Sequence, residues 1–298
     1  MNEIKTPGNI FRDLLEKEKP LQLIGTINAL AAMIAERVGC KAIYLSGAGV
    51  ANASYGLPDL GITTLENVAE DARRITHAVN LPLIVDIDTG YGGVALTIAR
   101  TIKTLEKGGV AGVHLEDQMV FKRCGHRPNK VIVHPEEMCD RLKAALDARK
   151  DPEFFIIART DAFALEGIEG VIKRAKLYEA TGADAIFPDA LTSLDQFKIL
   201  SKNVSIPIIA NLTEFGYTPL FTLKELKGVN VGIALYPLSA FRAMYKAAEE
   251  VYKTIIQLGT QKSVIDKMQT REELYDLLNY EFYEKYFDRL YGTKEEND

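Results

Sequence analysis

The chain has 298 residues, and 41 acidic residues against 36 lysines and arginines give a formal net charge of −5. Its length suffices for a core without disulfide bonds or a structural metal, and 47% hydrophobic with 26% charged residues is the composition of a globular protein, not of a disordered or membrane-spanning one. The acidic balance and the lack of a basic tail argue against nucleic acid or a membrane surface as the main partner, and the missing secretory signal predicts a cytoplasmic protein.

Eight short apolar runs, rich in Val, Ile and Leu, are predicted to be strands. In chain order they are residues 21–26, 42–45, 83–86, 112–115, 154–158, 185–187, 206–210 and 229–235. Their continuous apolar pattern is typical of a parallel sheet covered on both faces. Helical periodicity between the runs predicts an α/β fold, a (β/α)8 TIM-type barrel, with a doubly wound open sheet as the alternative.

Helix boundaries are marked between these runs. Thr63, with Glu66 three residues later, forms a predicted capping box before a helix that ends near Val79. Three glycines stand where helices are expected to end in a left-handed conformation: Gly39, Gly108 and Gly182. These signals place a helix between successive strands.

Polar side chains follow most of the predicted strands at their carboxyl ends. They are Ser46, Asp86 and Asp88, Glu116 and Asp117, Arg159 and Asp161, Asp189, and Asn211 and Thr213. Barrel enzymes carry their chemistry at this end of the strands. Polar loops are common, but six such strand ends in succession predict an active site.

Two neighbouring strand ends carry paired carboxylates and predict a magnesium site. Asp86 and Asp88 leave one strand, and Glu116 and Asp117 leave the next. Mg²⁺ binds through a few carboxylates, water and substrate oxygens, whereas zinc would call for Cys or His pairs that are missing nearby. The alternative is that these residues are helix caps and surface loops.

A basic segment around one cysteine is the strongest local signal. Cys124 is one of three cysteines, which form neither an even set nor a Cys-x-x-Cys pair, and four cations surround it: Lys122, Arg123, Arg127 and Lys130. Such a setting lowers the pKa of a thiol and suits proton transfer. Gly125 would allow the segment to close over an anionic substrate. The alternatives are a solvated basic loop or a phosphate-binding loop.

The last residues are rich in aromatic side chains. Seven of the chain's 25 Phe and Tyr residues lie in residues 271–298: Tyr275, Tyr280, Phe282, Tyr283, Tyr286, Phe287 and Tyr291. Either they pack on their own barrel or they pack on a neighbouring subunit. No linker rich in Pro, Gly or Ser divides the chain, so we expect one barrel domain over residues 1–298, with 271–298 as a helical extension.

Several ordered motifs resemble the isocitrate lyase and phosphoenolpyruvate mutase superfamily over nearly the whole chain. They are Tyr44-Leu45-Ser46-Gly47, Gly56-Leu57-Pro58-Asp59, Asp86-Ile87-Asp88, Glu116-Asp117-Gln118 and Lys122-Arg123-Cys124-Gly125-His126. Two further stretches, residues 211–216 and 235–242, are similar to those of the methylisocitrate lyase family within it. Chance is a poor explanation for motifs of this length and order.

The resemblance implies a barrel enzyme that depends on Mg²⁺, with Mn²⁺ as an alternative ion. Such an enzyme splits the small tricarboxylate (2S,3R)-2-methylisocitrate into pyruvate and succinate, in propionate breakdown through the methylcitrate cycle. The resemblance also implies a homotetramer whose eighth barrel helix swaps between subunits. Neither nucleic acid nor a membrane is an implied partner.

The resemblance also assigns roles to residues by motif. Cys124, Arg159, Tyr44 and His126 are implied to act in catalysis, with Cys124 as the proton donor and Tyr44 as a candidate for the base. Asp86 and Asp88 are implied metal ligands, with Asp59 and Glu116 around the metal's water shell. Implied substrate-binding positions are Ser46, Gly47, Ala48, Cys124, Gly125, Arg159, Asp189, Asn211, Leu212, Thr213, Arg242 and Arg271, and the methyl group would meet Phe187, Leu235 and Pro237.

Two positions depart from the family pattern, and two other functions stay open. Ala48 stands where Gly is common, and Asp189 stands where Glu is common. Because the Asp189 side chain is one methylene shorter than that of Glu, direct contact between Asp189 and the substrate is left open. One alternative is an isocitrate lyase that releases glyoxylate, although those enzymes are usually longer. The other is a catalytically silent barrel that binds a dicarboxylate, which the intact motifs disfavour.

Overall fold

The computed structural model describes residues 5–123 and 129–292. It contains eight parallel strands: β1 (Leu21–Gly25), β2 (Ala42–Leu45), β3 (Leu83–Asp86), β4 (Gly112–Glu116), β5 (Phe155–Thr160), β6 (Ala185–Pro188), β7 (Ile209–Asn211) and β8 (Ile233–Tyr236). Pairing follows the order β6-β5-β4-β3-β2-β1-β8-β7, and a parallel bridge between Ile186 and Ile208 joins the two edges. The predicted (β/α)8 barrel is confirmed, although β7 and β8 begin three and four residues later than expected.

Helices alternate with the strands. They are α1 (Pro7–Lys17), α2 (Ala29–Arg37), α3 (Gly47–Tyr55), α4 (Leu65–Ala78), α5 (Ala95–Lys107), α6 (Pro135–Ala148), α7 (Phe163–Thr181), α8 (Leu194–Ser201), α9 (Leu223–Gly228), α10 (Ser239–Leu258), α11 (Arg271–Leu277) and α12 (Tyr280–Tyr291), with a 3₁₀ helix at Lys262–Lys267. None of the helices within residues 5–123 and 129–292 combines the length and apolar character that crossing a bilayer requires.

Two predicted helix boundaries are wrong by one residue. The capping box uses Thr64 and Asn67, not Thr63 and Glu66, because the Thr64 hydroxyl is the one that accepts the N–H of the third helical residue. After α5, Gly109 has the left-handed conformation, with φ of +78°, while Gly108 has a φ of −76°. Gly39 and Gly182 are left-handed as predicted, with φ of +90° and +112°.

The barrel has two apolar layers. The larger lies between the strands and the surrounding helices, and a smaller one fills the barrel interior. The interior layer includes Leu23, Phe155 and Ile233. Phe11 of α1 packs edge-on against Phe155 with ring centroids 5.0 Å apart, so α1 closes the end of the barrel where the strands begin. The opposite end, where the strands finish, carries the polar residues.

The chain forms two compact units, Met1–Phe241 and Arg242–Asp298. The first contains all eight strands. The second contains most of α10, the 3₁₀ helix, α11 and α12. Asn279, with a φ of +51°, separates α11 from α12, and the rings of Tyr275 and Tyr280 stack across this break with centroids 4.3 Å apart.

Candidate active site

The two aspartates predicted to bind a metal lie at the carboxyl end of β3. Asp86 is buried, and its two oxygens accept hydrogen bonds of 3.0 Å from the backbone N–H groups of Gly47 and Asp88. A Cβ atom on Gly47 would lie 3.1 Å from the Asp86 carboxylate, so this close approach of α3 favours glycine. Ser46 caps α3 by accepting the N–H of Gly49 at 3.3 Å. Local backbone structure therefore holds Asp86 in one orientation.

Lys122 brings a buried positive charge to these carboxylates. Its ammonium lies 2.6 Å from Asp88 Oδ1 and 2.5 Å from Asp59 Oδ1, and its side chain is 5% exposed. Burial raises the pKa of Asp88 to about 6, against the opposing effect of Lys122. Asp59, predicted to lie around the metal's water shell, thus belongs to the same cluster as Asp88.

The donor set fits a magnesium ion that keeps several waters. Asp86 and Asp88 are adjacent buried carboxylates, and Glu116 Oε1 is buried with no hydrogen-bond partner in the described part of the chain. Within those same residues, no group of three or more His, Cys, Asp or Glu side chains is arranged to hold a metal alone. Mg²⁺ is usually held by one or two carboxylates with water and substrate oxygens. Asp86 and Asp88 are the residues that would hold it.

Arg159, at the end of β5, is surrounded by carboxylates. Its Nε and Nη2 atoms lie 3.0 and 3.2 Å from the two oxygens of Asp161, and Nη2 lies 3.0 Å from Asp189 Oδ2. Glu116 approaches Nε at 3.4 Å. The guanidinium carbon lies 5.1 Å from the ring centroid of Phe187. These contacts fix the arginine in place, and they bring together five side chains that the sequence analysis had singled out.

Asp189 lies between two predicted substrate-binding residues. One of its oxygens accepts from Arg159, and the other accepts from Asn211 Nδ2 at 3.1 Å. Leu212 and Thr213 follow Asn211 beyond β7 and are both buried. Asp189 therefore holds the side chains of Arg159 and Asn211 in place. Direct contact between Asp189 and the substrate stays a prediction.

Tyr44 forms a buried pair with His114, a residue that the sequence analysis missed. The Tyr44 hydroxyl lies 2.7 Å from His114 Nε2, which is 3.3 Å from Asp86 Oδ1, and the His114 ring meets Phe187 edge-on with centroids 5.3 Å apart. Burial raises the pKa of Tyr44 well above its usual value and lowers that of His114 to about 3. Both side chains are therefore neutral near pH 7.

The signal that could have found His114 is strand alternation. Gly112, His114 and Glu116 alternate along β4, and residues two apart point to the same face of a strand. Since Glu116 was expected at the active-site end, this alternation would have placed His114 one layer deeper inside the barrel. The continuous apolar pattern of the run concealed this position.

The low pKa of His114 predicts a loss of stability in acid. The unfolded chain takes up a proton near pH 6.5, whereas the folded chain does so only near pH 3, so stability is full above pH 7.5 and falls as the pH drops through this window. Between pH 8 and pH 5 this one group removes about 2 kcal/mol from the free energy of unfolding. Urea titrations of the parent and of His114→Gln should differ by that amount in their pH dependence. Equal pH slopes would show that folding does not lower the pKa of His114.

Two lysines at the ends of the basic segment are not solvated. Lys122 pairs as described above, and Lys130 Nζ lies 3.0 Å from Asp161 Oδ1 with its side chain 3% exposed. Their charges are paired with carboxylates, and the effect of the basic segment on the pKa of the Cys124 thiol stays a prediction. Arg123 is exposed, and the Gln118 side chain both accepts from its N–H at 2.9 Å and donates to its carbonyl at 2.8 Å.

Several predicted residues are not joined to this cluster by the described structure. Cys124, Gly125 and His126 lie outside the described residues. Arg242 and Arg271 belong to the second unit, so their roles stay predictions. Ala48 lies in the first turn of α3. Phe187 and Leu235 are both buried in the barrel interior, and Pro237 is buried just beyond β8.

Comparison with known proteins places this arrangement in context. The family model described as phosphoenolpyruvate phosphomutase matches residues 11–256. A 2-methylisocitrate lyase of Escherichia coli (strain K12) is 56% identical over 292 residues, which cover 98% of this chain and 99% of that protein.

Solved structures show the same architecture. A 2,3-dimethylmalate lyase, described as a PEP mutase/isocitrate lyase superfamily member, aligns with a TM-score of 0.88 at 29% identity over 99% of both chains. A phosphonopyruvate hydrolase in complex with oxalate and Mg²⁺ aligns with a TM-score of 0.83 at 27% identity, covering 97% of this chain and 100% of that one. Both likenesses extend over nearly the full length.

Proposed function

This chain belongs to the 2-methylisocitrate lyase family of the phosphoenolpyruvate mutase and isocitrate lyase superfamily, and we propose that it cleaves (2S,3R)-2-methylisocitrate to pyruvate and succinate. The observation that carries this proposal is the 56% identity to a 2-methylisocitrate lyase over nearly the whole of both chains. The geometry agrees, because carboxylates for a metal and a partly buried arginine lie together at the catalytic end of the barrel. The reaction would belong to propionate breakdown through the methylcitrate cycle.

The reaction reverses an aldol addition, and its proton transfers set the demands on the site. The substrate hydroxyl loses a proton and becomes the carbonyl of pyruvate, the adjacent carbon–carbon bond breaks, and its electron pair passes to the carbon that becomes succinate. That carbon then takes a proton. Deprotonating an alcohol whose pKa resembles that of water, about 15.7, costs about 12 kcal/mol at pH 7.

Asp86 and Asp88 would hold the magnesium ion, with Mn²⁺ as an alternative. When bound, the ion supplies positive charge that stabilises a negatively charged substrate oxygen. Backbone N–H groups from Gly47 and Asp88 hold Asp86 in place for this role. Asp59, which shares Lys122 with Asp88, and Glu116, at the end of the neighbouring strand, are proposed to order the ion's water.

Proton transfer is assigned to two side chains. Cys124 donates its thiol proton to the succinate carbon, and the resulting thiolate is reprotonated from solvent. Tyr44 stays the candidate for receiving the hydroxyl proton, since its own hydroxyl is hydrogen-bonded to His114. Tyr44 and His114 are both neutral at pH 7, so Tyr44 would accept the substrate proton while its own phenol proton passes along the hydrogen bond to His114 Nε2. His126 is proposed to assist within the basic segment.

Arg159 and the methyl pocket would bind the rest of the substrate. Arg159 offers a planar cation to a substrate carboxylate, a role that its partly buried setting supports. Phe187, Leu235 and Pro237 line the place proposed for the methyl group. A single methyl group is worth only about 1 to 3 kcal/mol in such a pocket, so residual cleavage of isocitrate is expected.

We also propose a homotetramer in the cytoplasm, with the eighth barrel helix swapped between subunits. The aromatic side chains of α11 and α12 support an assembly, because their own unit leaves all seven of them between 39% and 72% exposed. Apolar area of this extent is typical of a protein–protein contact. Sedimentation of the purified protein measures the subunit number.

The function is tested by incubating the purified protein with Mg²⁺ and 2-methylisocitrate and following pyruvate with lactate dehydrogenase. Pyruvate release that a chelator abolishes is the expected result. A parallel assay with isocitrate measures glyoxylate, and faster glyoxylate release would make the chain an isocitrate lyase. Tight binding of substrate without any product would instead indicate a silent barrel.

A further inference from the structure

Asp161 is a fully buried carboxylate that contacts both Arg159 and Lys130. One of its oxygens lies 3.0 Å from Arg159 Nε, and the other lies 3.2 Å from Nη2 of the same guanidinium and 3.0 Å from Lys130 Nζ. Lys130 stands six residues after Cys124 in the chain. One carboxylate thus joins the proposed substrate arginine to the far end of the cysteine-bearing segment.

Asp117 holds the backbone of Asp161 in place. The backbone N–H of Asp161 donates to Asp117 Oδ1 at 2.9 Å, and the hydroxyls of Thr160 and Tyr178 donate to Asp117 Oδ2 at 2.6 and 2.9 Å. Arg174 lies 3.2 Å from the same oxygen. Because β4, β5 and α7 all meet at Asp117, the position of Asp161 is set by the barrel rather than by Arg159.

The contacts on Arg159 divide its guanidinium into two sides. Asp161 occupies the Nε and Nη2 edge with two hydrogen bonds, and Asp189 shares Nη2. In the described part of the chain, Nη1 has no hydrogen bond to any of these carboxylates. A bidentate partner fixes the plane of a guanidinium, so Asp161 decides where the Nη1 side points.

We propose that Asp161 is a positioning residue that orients Arg159, so that the Nη1 side of the guanidinium is presented to a substrate carboxylate. This inference rests on the proposed function only in taking the ligand to be a carboxylate. Through Lys130, the same carboxylate ties the arginine's position to the segment that contains Cys124. Asp161 does not touch the reacting atoms, and its effect passes through Arg159.

The test compares Asp161→Asn with the parent protein. Asparagine keeps the size of the side chain but removes the charge that pairs with Arg159, and a displaced guanidinium is expected to raise the KM for 2-methylisocitrate at least about tenfold. Calorimetric binding of succinate, which needs no turnover, should weaken by a similar factor. If Asp161→Asn proves unstable, Asp161→Glu takes its place in the test. Glutamate keeps the charge but moves it by one methylene, so we expect a smaller loss of succinate affinity, about threefold.

A double-variant cycle separates positioning from general stability. In an Arg159→Lys background the loss of succinate affinity on adding Asp161→Asn should shrink to less than about twofold, since the group through which Asp161 acts is gone. A tenfold loss that persists in this background overturns the proposal, as does unchanged succinate binding in Asp161→Asn. If the parent binds succinate but releases no pyruvate, the proposed function fails while this cycle still decides the role of Asp161.

Asp184 offers a matched control at the opposite end of the barrel. Like Asp161 it pairs with two cations, here Arg12 at 2.8 Å and Arg149 at 3.1 Å, and it accepts the N–H of Ile156 at 2.9 Å. Asp184→Asn should lower the urea midpoint without changing the KM. A change in KM as large as that of Asp161→Asn would attribute the effect to fold stability and overturn the positioning role.

Discussion

Replacing Asp88 with asparagine is expected to weaken magnesium binding at least about 100-fold and to reduce turnover in proportion. Asp88 is one of the two buried carboxylates proposed to hold the ion, and an amide oxygen carries no formal charge to offset the cost of stripping water from Mg²⁺. Asp88 also pairs with Lys122 at 2.6 Å, so its loss leaves Asp59 as the remaining carboxylate paired with this ammonium within the described residues. Because one negative charge is lost, the Lys122 ammonium is less neutralised, and this further opposes the binding of a cation.

Metal affinity is measured directly by calorimetry with Mg²⁺ and by the electron paramagnetic resonance of Mn²⁺. Asp59→Asn is the matched control, since Asp59 pairs with the same ammonium but is not a proposed direct ligand. We expect it to weaken binding by less than about tenfold. If Asp88→Asn bound Mn²⁺ as tightly as the parent, the ion would have to be held elsewhere and the assignment of Asp88 would be wrong.

Cys124→Ser is expected to lose turnover by a factor of about 10² to 10⁴ while keeping the affinity for Mg²⁺ and pyruvate. A serine hydroxyl is a far weaker acid than a thiol, so it cannot deliver a proton to the succinate carbon at the same rate. The residue before it, Arg123, is held by two hydrogen bonds to Gln118, which brings the chain entering this segment close to β4. Loss of turnover without loss of binding distinguishes a proton donor from a binding residue.

The other two cysteines serve as controls for this variant. Cys40 and Cys139 are partly buried against the outer apolar layer of the barrel. Cys40→Ser and Cys139→Ser should lower stability slightly and leave kcat unchanged. A Cys124→Ser enzyme that runs at the rate of the parent would remove Cys124 from the mechanism and leave the proton donor unassigned.

The surroundings of the basic segment change how its charges should be understood. From sequence, four neighbouring cations suggested a strongly acidified thiol. In the structure, Lys122 and Lys130 are buried against Asp88, Asp59 and Asp161, and each pairs with at least one carboxylate. They anchor both ends of the segment to the two halves of the site, the proposed metal carboxylates and Arg159.

The sequence by itself determined the architecture and most of the site. Continuous apolar runs with helical stretches between them specify a parallel sheet covered on both faces, because strands buried on both faces have no polar side to alternate with, and eight such strands favoured a barrel over an open sheet. Closing such a barrel brings every strand's carboxyl end to one rim, so Asp86, Asp88, Glu116, Arg159 and Asp189 were expected to meet, and they lie together in the structure.

The tertiary structure alone decided which of these groups pair. Lys122 and Asp59 are 63 residues apart, and Tyr44 and His114 are 70 apart, so no local pattern relates them. The burial that makes His114 neutral and raises the pKa of Asp88 also depends on side chains from several strands and loops. Charge and proton affinity are set by distance and by exclusion from water, and both exist only once the barrel has closed.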